Sequence, residues 1–125
     1  MENGATAIVL LVHGSRDPGW YEPFKGLMDR IATVRPDVSV RVASLQFGEP
    51  GLLEALRVVA ETGASRALII PMFMSSGGHV QRDIPEQVAA VQAALPNLEL
   101  VLTEAVGDMS VVREAMVTAI IAAGD

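Results

Sequence analysis

The chain has 125 residues, about the size of one ordinary domain and long enough to bury a real core. Half of the residues are hydrophobic but only 4% are aromatic, which favours an aliphatic core of the kind found in helix-covered parallel sheets. Nine basic and fifteen acidic residues give a formal net charge of −6, which argues against nucleic acid or an anionic membrane as a partner. Cysteine is absent, which excludes disulfides, thiolate metal sites and cysteine nucleophiles.

The sequence is expected to be that of a soluble, cytoplasmic protein with one domain over residues 1–125. The start lacks the basic flank and the long apolar stretch of a signal peptide, and the apolar run over residues 5–12 is too short to span a bilayer. No linker, low-complexity tract or charge block suggests a second domain.

Apolar runs typical of buried strands alternate with stretches of helical periodicity, which predicts the order βαβαβαβα and the α/β class. Strands are predicted over residues 6–12, 38–45, 67–73 and 98–103. Helices are predicted over residues 21–34, from 52 to just before Gly63, and over 84–95 and 110–123. Pro85 is expected in the first turn of its helix, and Ser110 is expected to cap the last one.

The distinctive residues follow the predicted strands. The chain has only two histidines, His13 after the first strand and His79 in a glycine-rich loop after the third. Glu49 and Glu104 follow the second and fourth strands. Because the carboxyl ends of parallel strands share one edge of the sheet, where open α/β folds hold ligands, these four side chains are expected at a common rim. Imidazole suits both metal binding and proton exchange near neutral pH.

Each of these residues also has a simpler interpretation. A lone His13 could be a strand-end histidine bonded to a carbonyl group, and Glu49 could be a solvated acid at a helix start, favoured by the helix dipole. Arg16 could be an ordinary surface charge. A second histidine on the same edge, after two glycines, shifts the balance for His79 towards function.

Several motifs together resemble the small form of the sirohydrochlorin chelatases, the CbiX family of class II tetrapyrrole chelatases. The resemblance covers nearly the whole chain. It rests on Val-His-Gly-Ser-Arg from residue 12, Gln-Phe-Gly-Glu-Pro from 46, Pro-Met-Phe from 71, Gly-His-Val from 78, Asp-Ile-Pro from 83 and Glu-Ala-Val-Gly from 104. The fold that it implies is a chelatase-like three-layer α/β/α sandwich with a four-stranded parallel sheet, one lobe of the two that longer relatives carry.

The resemblance implies insertion of a divalent metal, Co²⁺ or alternatively Fe²⁺ or Ni²⁺, into sirohydrochlorin, on the way to cobalamin, siroheme or coenzyme F430. The metal is a substrate, and no organic cofactor is expected. Such an enzyme needs a site that releases its metal readily and a base that accepts two pyrrole protons. Imidazole and carboxylate ligands bind these metals without the tight hold of thiolates.

By the same resemblance, His13 and His79 are the metal-binding and proton-accepting pair, with the two roles unassigned, and Glu49 is the carboxylate helper. Sirohydrochlorin carries eight carboxylates, so a protein of negative net charge must bind it through local donors. The donors assigned are Ser15, Arg16, Ser75, Ser76, Gly77 and Gly78. Since a macrocycle needs walls on both sides, a homodimer is expected, with residues 111–121 or 72–74 at its interface.

Three other functions remain open. A non-catalytic module could bind a tetrapyrrole or a metal with the same histidines. A flavodoxin-like protein could hold an anion in the loop over residues 75–79, although the chain has neither a P-loop nor a G-x-G-x-x-G pattern. The histidines could also be incidental to a structural domain, in which case His79→Ala would leave metal and tetrapyrrole binding unchanged.

Overall fold

The computed structural model describes residues 5–75 and 77–125, except for the side chains of residues 78–81. Its strands are β1 (Thr6–Gly14), β2 (Ser39–Phe47), β3 (Arg66–Pro71) and β4 (Glu99–Leu102). Its helices are α1 (Glu22–Val34), α2 (Leu52–Glu61), α3 (Gly78–Ala94) and α4 (Ser110–Ala123), with a short 3-10 turn at Val106–Asp108. The predicted order of four strand and helix pairs is confirmed.

The four strands form one parallel sheet in the order β2-β1-β3-β4, which confirms the predicted fold class. Alternate side chains of each strand point to opposite faces, so the sheet separates two apolar clusters. The larger cluster joins one face to α2 and α3, and its largest fully buried side chains are Leu11, Leu56, Ile69, Val9 and Val59. The other face packs on α1 through Trp20, Phe24 and Met28.

Some predicted boundaries are wrong. β1 continues through His13 to Gly14 instead of ending at residue 12, because residue 14 still pairs with Phe47 after a shift in register. β3 ends at Pro71, so Met72 and Phe73 begin the following loop. Met74 is 70% exposed and does not pack in the core.

The third helix starts earlier than predicted. It begins at Gly78, which places the backbone of His79 in its first turn and not in a flexible loop. Pro85 consequently lies inside the helix, where its missing N–H leaves one helical hydrogen bond unmade. The span of α4 is confirmed, but Ser110 is its first helical residue and makes no capping hydrogen bond; the N-cap position belongs to Met109.

Within the described part of the chain, no helix is long and apolar enough to cross a membrane.

Candidate active site

At the carboxyl edge of the sheet, neighbouring loops approach each other closely at glycine residues. Gly14 has φ +87°, and a Cβ placed there would lie 1.8 Å from the carbonyl oxygen of Phe47. Gly48 has φ +89°, and a Cβ there would lie 2.6 Å from Nε1 of Trp20. Only glycine combines that backbone conformation with so close an approach. The loops after β1 and β2 therefore form one unit.

The loops after β3 and β4 are joined in the same manner. The N–H of Gly107 donates to the carbonyl oxygen of Phe73 at 2.8 Å, and a Cβ on Gly107 would lie 2.0 Å from the carbonyl oxygen of Met74. The N–H of Met72 donates to the carbonyl oxygen of Leu11 at 2.8 Å, which ties the third loop to β1. The rim is thus continuous across the sheet.

His13 lies at the centre of this rim with its side chain exposed. Its imidazole meets the rings of Phe47 and Phe73 edge to face, with centroids 6.4 Å away in each case and interplanar angles of 77° and 78°. Among the described residues, neither ring nitrogen of His13 has a hydrogen-bond partner. Aromatic contacts therefore orient the ring, and within the described residues neither nitrogen is engaged, so the unprotonated one can accept a metal or a proton.

His13 lines an open cavity of about 510 Å³. The other lining residues are Val12, Gly14, Ser15, Asp17, Gly19, Trp20, Phe24, Met72 and Phe73. The sequence analysis did not select Asp17, although a carboxylate four residues after His13 in the same loop was a usable signal. It also overlooked the aromatic residues, all five of which lie in or beside the loops of this edge.

Ser15 and Arg16 follow directly after β1. The Oγ of Ser15 accepts a hydrogen bond from the N–H of Asp17 at 3.1 Å, which shapes the start of the loop. The guanidinium of Arg16 lies over the ring of Phe47, 4.9 Å from its centroid. Arg16 makes no ion pair within the described residues, so its charge is available to an anionic ligand.

Glu49 lies in the turn between β2 and α2, and Ser44 fixes that turn. The buried Oγ of Ser44 donates to the carbonyl oxygen of Gly48 at 2.8 Å, and its N–H donates to the carbonyl oxygen of Pro50 at 2.9 Å. Glu49 itself lines a different cavity, of about 640 Å³, at the β2 edge together with Arg41. The cavity that contains His13 is not lined by Glu49.

The remaining predicted site residues belong to the loop after β3 and to the start of α3. Ser75 and Gly77 are exposed. Ser76 lies outside the described residues, as does the side chain of His79, and Gly78 is the first residue of α3. Within the described set, no three His, Asp or Glu side chains are grouped so that they could hold a metal ion.

The four-stranded parallel sheet defines the class, an open α/β protein, and the exposed imidazole of His13 lies at the carboxyl edge, where such folds hold ligands. The CbiX family model matches residues 7–123. The chain belongs to the CbiX family.

A curated relative agrees with the family assignment, and a solved structure agrees with the fold. The sirohydrochlorin cobaltochelatase of Methanocaldococcus jannaschii is 31% identical over 86 residues, which are 69% of this chain and 60% of the relative. The structure of a putative cobalamin biosynthesis CbiX protein from Marinobacter aquaeolei superposes with a TM-score of 0.78 and 23% identity, covering 92% of this chain and 93% of that one.

A third comparison involves a longer protein. The sirohydrochlorin chelatase SirB from Bacillus subtilis subspecies spizizenii, in complex with cobalt, superposes with a TM-score of 0.70 and 19% identity. The superposition covers 81% of this chain but 43% of that one. The chain also spans only about three fifths of the curated relatives that it matches first.

Proposed function

We propose that this protein inserts a divalent metal ion, foremost Co²⁺ and alternatively Fe²⁺ or Ni²⁺, into sirohydrochlorin, as a step towards cobalamin or siroheme. The observation that carries the proposal is the exposed imidazole of His13, whose ring nitrogens have no hydrogen-bond partner within the described residues and which lines an open cavity. Arg16 and His13 both contact the ring of Phe47. Membership of the CbiX family supports the choice of reaction. The names of the relatives and the cobalt bound to SirB support the choice of metal.

In the proposed reaction, four pyrrole nitrogens bind the metal as two of them lose their protons. His13 and His79 hold the arriving metal and accept the protons, and the division of these roles between them stays open. A neutral imidazole can do either, since it has one nitrogen that accepts a metal or a proton. The accepted protons then pass to solvent through the open cavity.

The carboxylate helper has two candidates. Glu49 remains the residue predicted from the sequence, but it lines the cavity at the β2 edge. Asp17 lines the same cavity as His13, so we add it as the carboxylate better placed to accept a proton or to bind the metal. Comparison of Glu49→Gln with Asp17→Asn separates the two, because only the residue that takes part in the reaction should change the rate.

Recognition of the macrocycle is proposed to use the donors of the rim. Sirohydrochlorin is an anion at neutral pH, and the net charge of −6 repels it at long range. Arg16 is free of ion pairs within the described residues and can compensate locally for this repulsion. Ser15 and the loop from Ser75 to Gly78 supply further hydrogen-bond donors in the proposal.

We also propose that residues 1–125 form one CbiX-like domain that works as a homodimer. Helix α4 has no buried residue, and its Ile120 and Ile121 are 71% and 64% exposed. On the sheet face that carries α1, Leu68 and Val101 pair in register, are half-buried, and belong to neither apolar cluster. A second copy could cover both surfaces, and the greater length of SirB leaves room for a second lobe within one chain.

The proposed activity is tested by an anaerobic absorbance assay with sirohydrochlorin and Co²⁺, Fe²⁺ or Ni²⁺. The His13→Ala and His79→Ala variants are expected to lower the rate by about 100-fold or more, the range for loss of a general base. Asp29→Asn, on the exposed surface of α1, serves as the control and should match the unmodified protein. If that protein binds the macrocycle without accelerating insertion, the protein is a non-catalytic binding module and the enzyme proposal fails.

The predicted cytoplasmic location stays a prediction, which cell fractionation would test.

A further inference from the structure

His13 is held in an unusual way for a histidine that binds a metal. Such a histidine almost always donates its second N–H to a carboxylate or carbonyl, and loss of that partner weakens metal binding 10- to 100-fold. Within the described residues His13 has no such partner, and its ring rests instead between the rings of Phe47 and Phe73. Contacts with two aromatic rings restrict the orientation of the imidazole without using either ring nitrogen.

The two phenylalanines differ in what else they contact. The ring of Phe47 also lies under the guanidinium of Arg16, at 4.9 Å. The ring of Phe73 has no cationic partner within the described residues. The backbone of Phe47 is fixed in addition, because its carbonyl oxygen occupies the space where Gly14 lacks a Cβ. Phe47 therefore joins an imidazole and a cation through one rigid ring.

We propose that Phe47 and Phe73 are positioning residues of this site, and that Phe47 orients both His13 and Arg16 whereas Phe73 orients His13 alone. The proposal rests on the function proposed above. It explains how His13 can hold a metal weakly, for transfer, while Arg16 is oriented by the same ring, that of Phe47, to bind a macrocycle carboxylate. The imidazole is oriented by its ring contacts, and no residue that the structure describes occupies either of its nitrogens.

The first test is an NMR experiment that needs no ligand. The chain has two histidines, so its imidazole signals form two sets, which His13→Asn assigns. The Phe47→Leu and Phe73→Leu variants should each shift the His13 signals, because each removes an aromatic ring next to the imidazole. Only Phe47→Leu should shift the Nε–H signal of Arg16. Phe24→Leu, which lines the same cavity without a described ring contact to His13, is the control and should leave both signals in place.

The second test measures two dissociation constants separately, one for Co²⁺ and one for metal-free sirohydrochlorin. Phe73→Leu should weaken Co²⁺ binding about three- to tenfold and leave sirohydrochlorin binding unchanged. Phe47→Leu should weaken both, with a loss of about three- to fivefold for sirohydrochlorin, the size of one exposed cation–π contact. Phe47→Tyr, which keeps the ring, should restore both constants.

The proposal is overturned if the two leucine variants give the same pattern in both tests, or if Phe47→Leu leaves the signals of His13 and Arg16 unmoved. Far-ultraviolet circular dichroism establishes that each variant is folded. If the protein binds no sirohydrochlorin, the proposed function fails, but the NMR pattern still decides whether the two rings orient His13 and Arg16 as described.

Discussion

The two faces of the sheet differ in how many apolar side chains they bury. The face under α2 and α3 carries a cluster with fourteen buried residues, whereas the cluster on the α1 face has three. Helix α1 has no buried residue, while α2 buries Leu52, Ala55, Leu56 and Val59. One face therefore supplies most of the hydrophobic stabilisation of the single chain.

The difference indicates where each face derives its stability. The α2/α3 face is closed within one chain, and its side chains are fully buried and aliphatic. On the α1 face, side chains cover β1 and β2. On the same face Leu68 and Val101 are half-buried and belong to neither apolar cluster. We infer that the first face is responsible for folding and that the second is completed by association.

The largest expected effect comes from truncating a leucine on each side. Leu56→Ala removes a fully buried side chain of α2 and should lower the free energy of unfolding by about 2–5 kcal/mol. Leu27→Ala, the matched change on α1, removes a side chain that is 41% exposed and should cost less than about 1 kcal/mol. Urea unfolding of both variants measures the difference. Equal losses would mean that the two faces contribute equally and that the comparison is wrong.

The next effect concerns the homodimer. Replacing Ile120 and Ile121 of α4 by lysine should weaken self-association at least 100-fold, about 2.7 kcal/mol, because both exposed side chains lie in the proposed interface. Sedimentation across a range of protein concentrations gives the dissociation constant. The control replaces Leu27 and Val34 of α1, which are 41% and 63% exposed, by lysine, with the same change in charge. A monomeric unmodified protein, or equal weakening in both variants, would contradict the proposed interface.

A smaller effect is expected at the rim. Gly14→Ala places a Cβ against the carbonyl oxygen of Phe47 at a positive φ and should destabilise the protein by about 1–3 kcal/mol. It should also displace His13. Gly26→Ala is the opposite case, because Gly26 lies inside α1 with open space around it, and the change should stabilise by up to about 1 kcal/mol. Thermal unfolding of the pair checks the signs. Tolerance of Gly14→Ala would show that the loops are not locked.

The fold was predictable because its signals are local. Alternating apolar runs and helical periodicity predict all four strands and helices, and the predicted end of α1 at residue 34 is confirmed. The boundaries at the rim were not predictable, because pairing across strands extends β1 to Gly14. The preference of proline for the first turn of a helix gave a wrong start for α3, since the helix begins at Gly78 and tolerates the hydrogen bond missing at Pro85.

The site was predictable in part. Motif resemblance selected His13 and Arg16, which the structure places at one rim and in contact with one phenylalanine. It could not separate Glu49 from His13 into different cavities, because both follow strands that are neighbours in the sheet. Asp17, which lines the cavity of His13, was not predicted, because it lies in the same loop as His13 and not after another strand. The sequence holds no signal for the direction in which a loop side chain points.

The smallest effect lies at the exposed turn between α1 and β2. The guanidinium of Arg35 donates to both carboxylate oxygens of Asp37, at 2.9 and 2.6 Å. These hydrogen bonds lower the pKa of Asp37 from 3.8 to about 2. Because the folded state lowers this pKa, the pair stabilises the protein above pH 4, and the contribution is lost as the pH falls from about 4 to about 2.

Asp37→Asn should therefore destabilise the protein slightly at pH 7, and the difference from the unmodified protein should vanish near pH 2. Both side chains are more than 60% exposed, so salt should screen the charged part of the pair. Urea unfolding of both proteins at pH 7 and at successively lower pH, each at low and high salt, measures the difference. If the two proteins still differ in unfolding free energy at pH 2, Asp37 stabilises the protein through the conformation of the turn and not through its charge. The effect should remain far below that of Leu56→Ala, because an exposed ion pair replaces contacts with water whereas a buried leucine excludes water.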